Sequence, residues 1–286
     1  MAKIDSFNSS DPIAWCPGCG NFGILNTWKE ALAEMDRKPE DILMVSGIGQ
    51  ASKLPHYILC NTFNGLHGRT LPVATGAKIA NHNLIVIADG GDGDGYAEGG
   101  NHFIHAMRRN IDISYFVHNN QIYGLTKGQA SPTSDKNMVT GSTPEGNYIC
   151  PERPLALAVA SSCSFVARGY VKKKEHLKEL MIKAVKNKGF SLLEILQPCV
   201  SFNRVNTYDW YDKRIYRLED KPYDPFDRKA AFQKALEWGE KIPIGIIFKS
   251  HRKTYEELSG LDEDERPLFK RKREKKELEG ILEEFY

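Results

Sequence analysis

Residues 90–129 constrain the fold of this chain more than any other stretch. An apolar run at residues 83–89 precedes them and predicts a buried parallel strand. A glycine-rich turn follows, then a helix predicted over residues 96–109 and a second buried strand over residues 113–118. Open α/β sheets bind ligands at the carboxyl ends of their strands, so we expect a ligand site where these two strands end.

Oxygen donors follow both predicted strands. Neighbouring parallel strands would place Asp92 beside Asn120, although 28 residues separate them. A carboxylate, an amide oxygen and the backbone carbonyl of Ile122 suit Mg²⁺, which prefers hard oxygen ligands and keeps positions for phosphate and water. The glycines of the turn would let the backbone approach a phosphate closely. Gly-Asp-Gly turns are common, but one followed by an Asn at the next strand end is typical of a thiamine diphosphate site.

The cysteine pair Cys16 and Cys19 stands beside Pro and Gly in a turn typical of a metal knuckle. A zinc ribbon would require a second Cys-x-x-Cys pair, and the other four cysteines are isolated. A thioredoxin-like redox pair would follow a strand, and none is predicted before Cys16. An iron–sulfur site requires about four thiolates, and its other ligands can lie far away in the sequence.

Composition excludes several classes of protein. The 286 residues suffice for one large α/β domain or two small ones. The 39 basic and 37 acidic residues give a net charge of +2, which favours no nucleic-acid partner. No apolar run approaches the ~18 residues of a membrane helix, and the N-terminus lacks a signal-peptide core. We therefore expect a cytoplasmic protein without a membrane partner, whose six cysteines are ligands or buried thiols rather than disulfides.

The remaining segments predict an α/β domain with an extension. Residues 130–155, rich in Ser, Thr, Gly and Pro, predict a long functional loop, either a lid or an interface. One domain would span residues 1–250 and include the cysteine knuckle, and charge-dense residues 251–286 would dock on a partner. Further strands are predicted at residues 41–46, 165–171, 190–196 and 243–248, and helices at residues 24–35, 72–81, 154–160, 174–186 and 228–239.

Two stretches carry a resemblance to a known family: GGDGDGYAEGGNHFIHAMRRN and NNQIYGLTKGQ. They are similar to the beta subunit of the 2-oxoacid:ferredoxin oxidoreductases, and the similarity extends over roughly residues 12–205. The resemblance implies a thiamine-diphosphate-binding fold, a mostly parallel sheet with helices on both faces. It also implies oxidative decarboxylation of a 2-oxoacid, of the 2-oxoglutarate or pyruvate class, to acyl-CoA and CO2. Coenzyme A would accept the acyl group, and an iron–sulfur cluster would pass the electrons to ferredoxin.

The resemblance also implies that this chain is half of an active site. In the family, an alpha subunit supplies the glutamate that activates the pyrimidine of the cofactor, and this sequence carries no signal for that residue. We therefore expect an alpha partner in an (αβ)2 assembly. Two alternatives stay open: a non-redox thiamine-dependent decarboxylase or carboligase, and a non-catalytic electron-transfer protein.

Individual residues take roles from the same resemblance. Lys53 would face the far carboxylate of the substrate. The alternative is that Lys53 is an ordinary solvated lysine. His67 would contact thiamine diphosphate, where the alternative is a structural histidine. These are the two candidate catalytic residues. The expected cofactor-binding residues are Ile48, Gly49, Gln50, Ala51, His67, Gly93, Asp94, Gly124 and Leu125.

The cluster ligands show one departure from the family pattern. Cys16, Cys19 and Cys199 match three of the four ligand positions, and Gln50 stands where the family has a cysteine. An amide is a poor ligand for iron–sulfur chemistry, which is dominated by thiolates. We expect either a 4Fe-4S cluster with another donor at the fourth iron or a 3Fe-4S cluster. Cys60 is a possible replacement ligand.

Overall fold

The computed structural model describes residues 3–272 and 275–285. Within them the chain forms ten strands and nine α-helices. No helix in this described part is long and apolar enough to cross a membrane. The strands are β1 Ile42–Ser46, β2 Asn61–Asn64, β3 Ile85–Gly91, β4 Ser114–Asn119, β5 Ile122–Tyr123, β6 Gln129–Ala130, β7 Phe165–Tyr170, β8 Ser191–Leu196, β9 Ile215–Arg217 and β10 Ile242–Lys249. The helices are α1 Gly20–Glu34, α2 Thr70–Ala80, α3 Gly100–Arg109, α4 Pro154–Ala160, α5 Lys174–Lys186, α6 Tyr208–Asp212, α7 Arg228–Leu236, α8 Tyr255–Ser259 and α9 Lys275–Glu283.

Eight strands form one sheet in the order β2-β1-β3-β4-β8-β7-β10-β9. The six from β2 to β7 are parallel to their neighbours, and β10 runs antiparallel to β7. The central strands β4, β7 and β8 are buried along their whole length, which explains their nearly continuous apolar sequences. The predicted α/β fold with a mostly parallel sheet is confirmed. The short strands β5 and β6 form a separate hairpin.

Helices cover both faces of the sheet because its side chains alternate between the faces. On one face, α1 and α5 pack on the strands, and the Trp28 ring lies edge-on to Phe116 of β4 at 4.4 Å between centroids. On the other face, α2, α3, α4 and α7 pack on the strands. There the ring centroid of Phe103 lies 6.2 Å from that of Tyr115, the β4 residue that precedes Phe116. Each face therefore has its own apolar core.

Several predicted boundaries differ from the structure. The strand predicted at residues 83–89 continues to Gly91 as β3, and the helix predicted from residue 96 begins at Gly100. Between them, Gly93–Glu98 forms a π-helix, a rare conformation that often occurs at functional sites. The edge strand β2 has no signal in the sequence, because its four residues are all exposed and show no apolar pattern.

The C-terminal extension contacts its own chain over much of its length. The Arg252 guanidinium donates to the carbonyls of Met107 and Arg108 at the end of α3, and the Glu256 carboxylate accepts from the Asp112 N–H. On α9, apolar side chains such as Leu278, Ile281 and Leu282 stay exposed. Residues 273, 274 and 286 of the extension, and residues 1 and 2 of the N-terminal arm, lie outside the described residues. Partner docking by the extension stays a prediction.

Candidate functional site

A cleft opens where β3 and β4 end side by side. The two strands pair through Gly91 and His118, so the residues just beyond them meet at the carboxyl edge of the sheet. The cleft encloses about 550 Å³ of empty space, part of it open to solvent. All three candidate magnesium ligands line it: Asp92, Asn120 and Ile122. So do all the expected cofactor-binding residues: Ile48, Gly49, Gln50, Ala51, His67, Gly93, Asp94, Gly124 and Leu125.

Asp92 is a buried carboxyl group held by two hydroxyls. Its Oδ2 accepts from Ser131 Oγ at 2.5 Å and from Thr133 Oγ1 at 2.6 Å. Burial raises the pKa of Asp92 from 3.8 to about 6, and these hydrogen bonds oppose the increase. The carboxylate is thus costly to keep charged without a cation. Such a group has a physical reason to bind a metal ion.

The neighbouring amide oxygens are oriented by the backbone. Asn120 Oδ1 accepts from the Ile122 N–H at 3.0 Å, and Asn203 Nδ2 donates to the Asn120 carbonyl at 3.0 Å. Thr133 Oγ1 lies within hydrogen-bond distance of Asn119 Oδ1, at 3.0 Å, as well as of Asp92. One carboxylate with amide and carbonyl oxygens in the same cleft fits Mg²⁺, which needs only one or two protein carboxylates.

Asp94 is hydrogen-bonded to the loops that surround the cleft. Its Oδ1 accepts from the backbone N–H groups of Ile48 and Gly68 at 3.0 and 2.8 Å, and its Oδ2 accepts from Thr70 Oγ1 at 3.3 Å. Burial raises the pKa of this carboxyl group. Both oxygens therefore engage protein donors. Although Asp94 lines the cleft, its contacts are those of a residue that positions the loops.

Gly93 is required by packing as well as by the expected approach of a phosphate, which stays a prediction. A Cβ atom on Gly93 would lie 2.3 Å from the Tyr123 ring. Tyr123 donates a hydrogen bond to Glu98 Oε1 at 3.0 Å, and both side chains line the cleft. Gly93 is thus required for packing of Tyr123 against the glycine-rich turn that carries Asp92.

The two candidate catalytic residues differ in position. His67 lines the cleft. Lys53 is half-buried in the 3₁₀ helix Ala51–Tyr57 and is not among the residues that line the cleft. His67 therefore lies with the other candidate residues at the cleft. Lys53 follows the cleft-lining loop in the sequence but is not part of the cleft wall. Its role in substrate binding stays a prediction.

A second cleft, with about 400 Å³ of empty space, contains the three candidate cluster cysteines. Cys16, Cys19 and Cys199 line it together with Gln50. The side-chain oxygen of Gln50 is buried and has no hydrogen-bond partner among the described residues. Gln50 also lines the first cleft, as do Asn120 and Gly124. The two clefts are therefore neighbours with a common wall.

The three candidate cluster cysteines suit an iron–sulfur cluster better than a single metal ion. Burial raises the pKa of Cys19 to about 11, and Cys199 and Cys16, which line the same cleft, add to the increase. Among residues 3–272 and 275–285, no group of three or more His, Cys, Asp or Glu side chains could hold a metal ion. An iron–sulfur cluster binds its thiolates at different irons. Three thiols facing one cleft fit such a cluster, with a fourth thiolate missing.

Cys60 is not among the residues that line this cleft. It precedes Asn61, which pairs with Leu43 near the start of β1, so it lies at the amino edge of the sheet. Gln50 follows the other end of β1. The strand separates the two edges by roughly 13 Å, at about 3.3 Å per residue. Cys60 packs against the apolar core, and burial raises its pKa to about 12. It is therefore badly placed to replace the missing ligand.

Sequence reasoning missed the side chains that support the predicted ones. Ser131 and Thr133 hold Asp92 from a loop about forty residues further along the chain. The hydroxyl-rich sequence Ser-Pro-Thr-Ser at residues 131–134 was the available signal. Glu98 and Gln197 were also missed, and they carried no recognisable pattern.

The first cleft defines a class of protein. A carboxylate in a glycine-rich turn, beside an Asn at the end of the next parallel strand, is the arrangement of thiamine-diphosphate-dependent enzymes. Consistent with this, residues 45–195 match the family described as "Thiamine pyrophosphate enzyme, C-terminal TPP binding domain". Residues 199–261 match the family that describes the C-terminal part of the pyruvate ferredoxin oxidoreductase beta subunit.

Relatives narrow the class further. The chain is 45% identical over 256 residues to the 2-oxoacid:ferredoxin oxidoreductase subunit beta of Saccharolobus solfataricus, covering 85% of this chain and 84% of that protein. It is 44% identical over 201 residues to a 2-oxoglutarate oxidoreductase subunit of Mycobacterium tuberculosis, covering 70% and 54%. A solved 2-oxoglutarate:ferredoxin oxidoreductase from Magnetococcus marinus shares 35% identity and a TM-score of 0.91, covering 98% of this chain and 96% of that one. The chain belongs to the beta subunits of the 2-oxoacid:ferredoxin oxidoreductases.

Proposed function

We propose that this chain is the thiamine-diphosphate-binding subunit of an enzyme that oxidatively decarboxylates a 2-oxoacid to acyl-CoA and CO2. The common wall between the two clefts is the observation that carries this proposal. A cluster held in the cysteine cleft would lie next to the cofactor cleft, where it could accept electrons from the reaction. The Magnetococcus marinus relative was solved with 2-oxoglutarate, coenzyme A and succinyl-CoA bound, which supports this reaction and substrate class.

In the first cleft, Asp92, Asn120 and the Ile122 carbonyl would hold Mg²⁺ and thereby the diphosphate. Ser131 and Thr133 keep Asp92 oriented, and Asp94 keeps the loop at Ile48 beside the cleft. When bound, thiamine diphosphate supplies the electron sink that decarboxylation of a 2-oxoacid requires.

The remaining cofactor-cleft residues would serve the organic part of the cofactor and the substrate. The loop of residues 48–51 and the segment of residues 124–125 both line the cleft beside the glycine-rich turn that carries Asp92. His67 would contact thiamine diphosphate. Lys53, outside the cleft wall, would reach the far carboxylate of a dicarboxylic substrate such as 2-oxoglutarate.

In the second cleft, Cys16, Cys19 and Cys199 would hold an iron–sulfur cluster. Each cysteine must lose its proton to bind iron, so cluster insertion must overcome the raised pKa of Cys19. Gln50 supplies no thiolate, so the cluster is either 3Fe-4S or a 4Fe-4S form whose fourth iron has a different donor. A non-redox thiamine enzyme would explain the first cleft, but it would give no function to the three cysteines that line the neighbouring second cleft.

An alpha subunit in an (αβ)2 assembly would supply the glutamate that activates the pyrimidine. Glu98 also lines the cofactor cleft, where its carboxylate accepts a hydrogen bond from Tyr123. Ferredoxin would accept the electrons. All six cysteines are free thiols, which suits a reducing, cytoplasmic location.

Anaerobic purification of the chain with its alpha partner tests the proposal. We expect about three to four irons per beta chain, a broad visible absorption that bleaches on reduction, and one thiamine diphosphate. Alanine at Cys199 should remove the iron and leave thiamine diphosphate bound, whereas alanine at the buried Cys163, outside both clefts, should change neither. Thiamine diphosphate without iron in the wild-type complex would contradict the proposal and favour a non-redox thiamine enzyme.

A further inference from the structure

A buried amide lines the cysteine cleft at the end of the sheet. Gln197 follows the last residue of β8, and its backbone N–H donates to the Asn119 carbonyl at 2.9 Å, which extends the sheet pairing by one residue. The side chain is 1% exposed and lines the cleft. Its Nε2 donates to Cys19 Sγ at 3.5 Å and to the Pro198 carbonyl at 3.1 Å. Gln197 thus joins the end of the sheet to a candidate cluster ligand.

The orientation of this amide is determined by its neighbours. The Pro198 carbonyl can only accept a hydrogen bond, so the nitrogen of the amide, and not its oxygen, must face Pro198 and Cys19. The side chain is also held by the first turn of α1, because a Cβ atom on Gly20 would lie 2.8 Å from Gln197 Cγ. An N–H group therefore points at the sulfur of Cys19 in a fixed geometry.

Packing alone does not explain a glutamine at this position. Gln197 Oε1 is buried and has no hydrogen-bond partner among the described residues, which costs free energy. A methionine of the same length would fill the same space without a buried, unpaired oxygen. The polar side chain gains only through its N–H group. Among the residues that the structure describes, the sulfur of Cys19 is the one hydrogen-bond partner of that group beyond the adjacent Pro198.

We propose that Gln197 is a positioning residue that donates a hydrogen bond to Cys19 and raises the reduction potential of the bound cluster. The inference rests on the proposed function, since it requires a cluster on the three cysteines. Reduction places more negative charge on the cluster and its thiolates. A hydrogen bond to a ligand sulfur stabilises that charge more in the reduced state than in the oxidised state.

Four variants of the intact complex test the role of Gln197. Gln197→Met removes the N–H donor and keeps the volume. Gln197→Glu removes the donor and adds a negative charge. Gly20→Ala leaves Gln197 unchanged but displaces its side chain. Gln233→Met, on the exposed face of α7, is the matched control for the chemical change.

The measurement is the midpoint potential of the cluster, from redox titrations followed by electron paramagnetic resonance, with iron content determined on the same samples. We expect the potential to fall in the order wild type, Gln197→Met, Gln197→Glu. Gly20→Ala should resemble Gln197→Met, and Gln233→Met should equal wild type. Potentials equal to wild type in all variants that retain iron would overturn the inference, as would loss of iron with no change of potential in the clusters that remain. Absence of iron from the wild-type complex would instead contradict the proposed function, and this inference with it.

Discussion

Replacing Asp92 with asparagine should stabilise the metal-free chain at neutral pH. Burial raises the pKa of this carboxyl from 3.8 to about 6. One pKa unit corresponds to about 1.36 kcal/mol, so the buried charge at neutral pH costs about 3 kcal/mol of folding free energy. An asparagine oxygen can still accept from Ser131 and Thr133, but its NH2 group would face backbone N–H groups that now donate to the carboxylate. We therefore expect a net gain of about 1–3 kcal/mol.

The sign of the pH dependence follows from the direction of the shift. An acid whose pKa is higher in the folded state binds more protons when folded, so its contribution to stability falls as pH rises from 3.8 to about 6. Wild type and Asp92→Asn should therefore have similar stability below about pH 4. The difference should grow through about pH 6 and become constant near about pH 7.5, with the variant more stable.

Urea unfolding in the presence of a chelator, followed by tryptophan fluorescence at several pH values, measures this difference. Asp262→Asn, at an exposed position, is the control and should show no such pH dependence. Adding Mg²⁺ and thiamine diphosphate should reverse the order, because ligand that binds the folded state stabilises wild type and not the variant. A variant that is less stable at neutral pH, or a difference that does not change with pH, would refute the reasoning about Asp92.

Three further substitutions test other parts of the account. Thr133→Ala removes a hydrogen bond to the Asp92 carboxylate that is worth roughly 1.5–3 kcal/mol. Calorimetry should therefore show about ten- to a hundredfold weaker binding of magnesium thiamine diphosphate. Unchanged affinity would contradict a supporting role for Thr133. Gly93→Ala places a Cβ atom 2.3 Å from the Tyr123 ring and should lower the melting temperature, and combining it with Tyr123→Ala should recover part of the loss. Lys53→Ala should raise KM for 2-oxoglutarate about ten- to a hundredfold more than KM for pyruvate, because it removes a charge-assisted hydrogen bond worth roughly 1.5–3 kcal/mol. Equal effects on both substrates would mean that Lys53 serves the fold or the cofactor.

The elements that the sequence predicted well are those with strong local signals. The strands β3, β4, β7 and β8 are apolar because parallel strands are covered on both faces. Once two such strands are adjacent, the residues after each one must meet, so Asp92 and Asn120 could be placed in one cleft from spacing alone. This part of the site follows from chain geometry.

The parts that were missed depend on contacts between distant segments. Ser131 and Thr133 reach Asp92 from an irregular loop, and no periodic pattern encodes where such a loop folds back. The sequence also carried no sign that Lys53, in the 3₁₀ helix after the cleft-lining loop, would lie outside the cleft wall, and its role at the substrate stays a prediction. Gln197 resembles an ordinary residue at a strand end, and only its contact with Cys19 gives it a role.

The most direct test of the central claim is whether a 2-oxoacid reduces a cluster in the cysteine cleft. The anaerobic complex of this chain with its alpha partner is mixed with 2-oxoglutarate or pyruvate and coenzyme A, and samples frozen at successive times are examined by electron paramagnetic resonance. We expect a change in the cluster signal that accompanies CO2 release, requires thiamine diphosphate and disappears in a Cys199→Ala variant that still binds thiamine diphosphate. Release of CO2 with no change in any iron–sulfur signal would contradict the account and identify a non-redox enzyme.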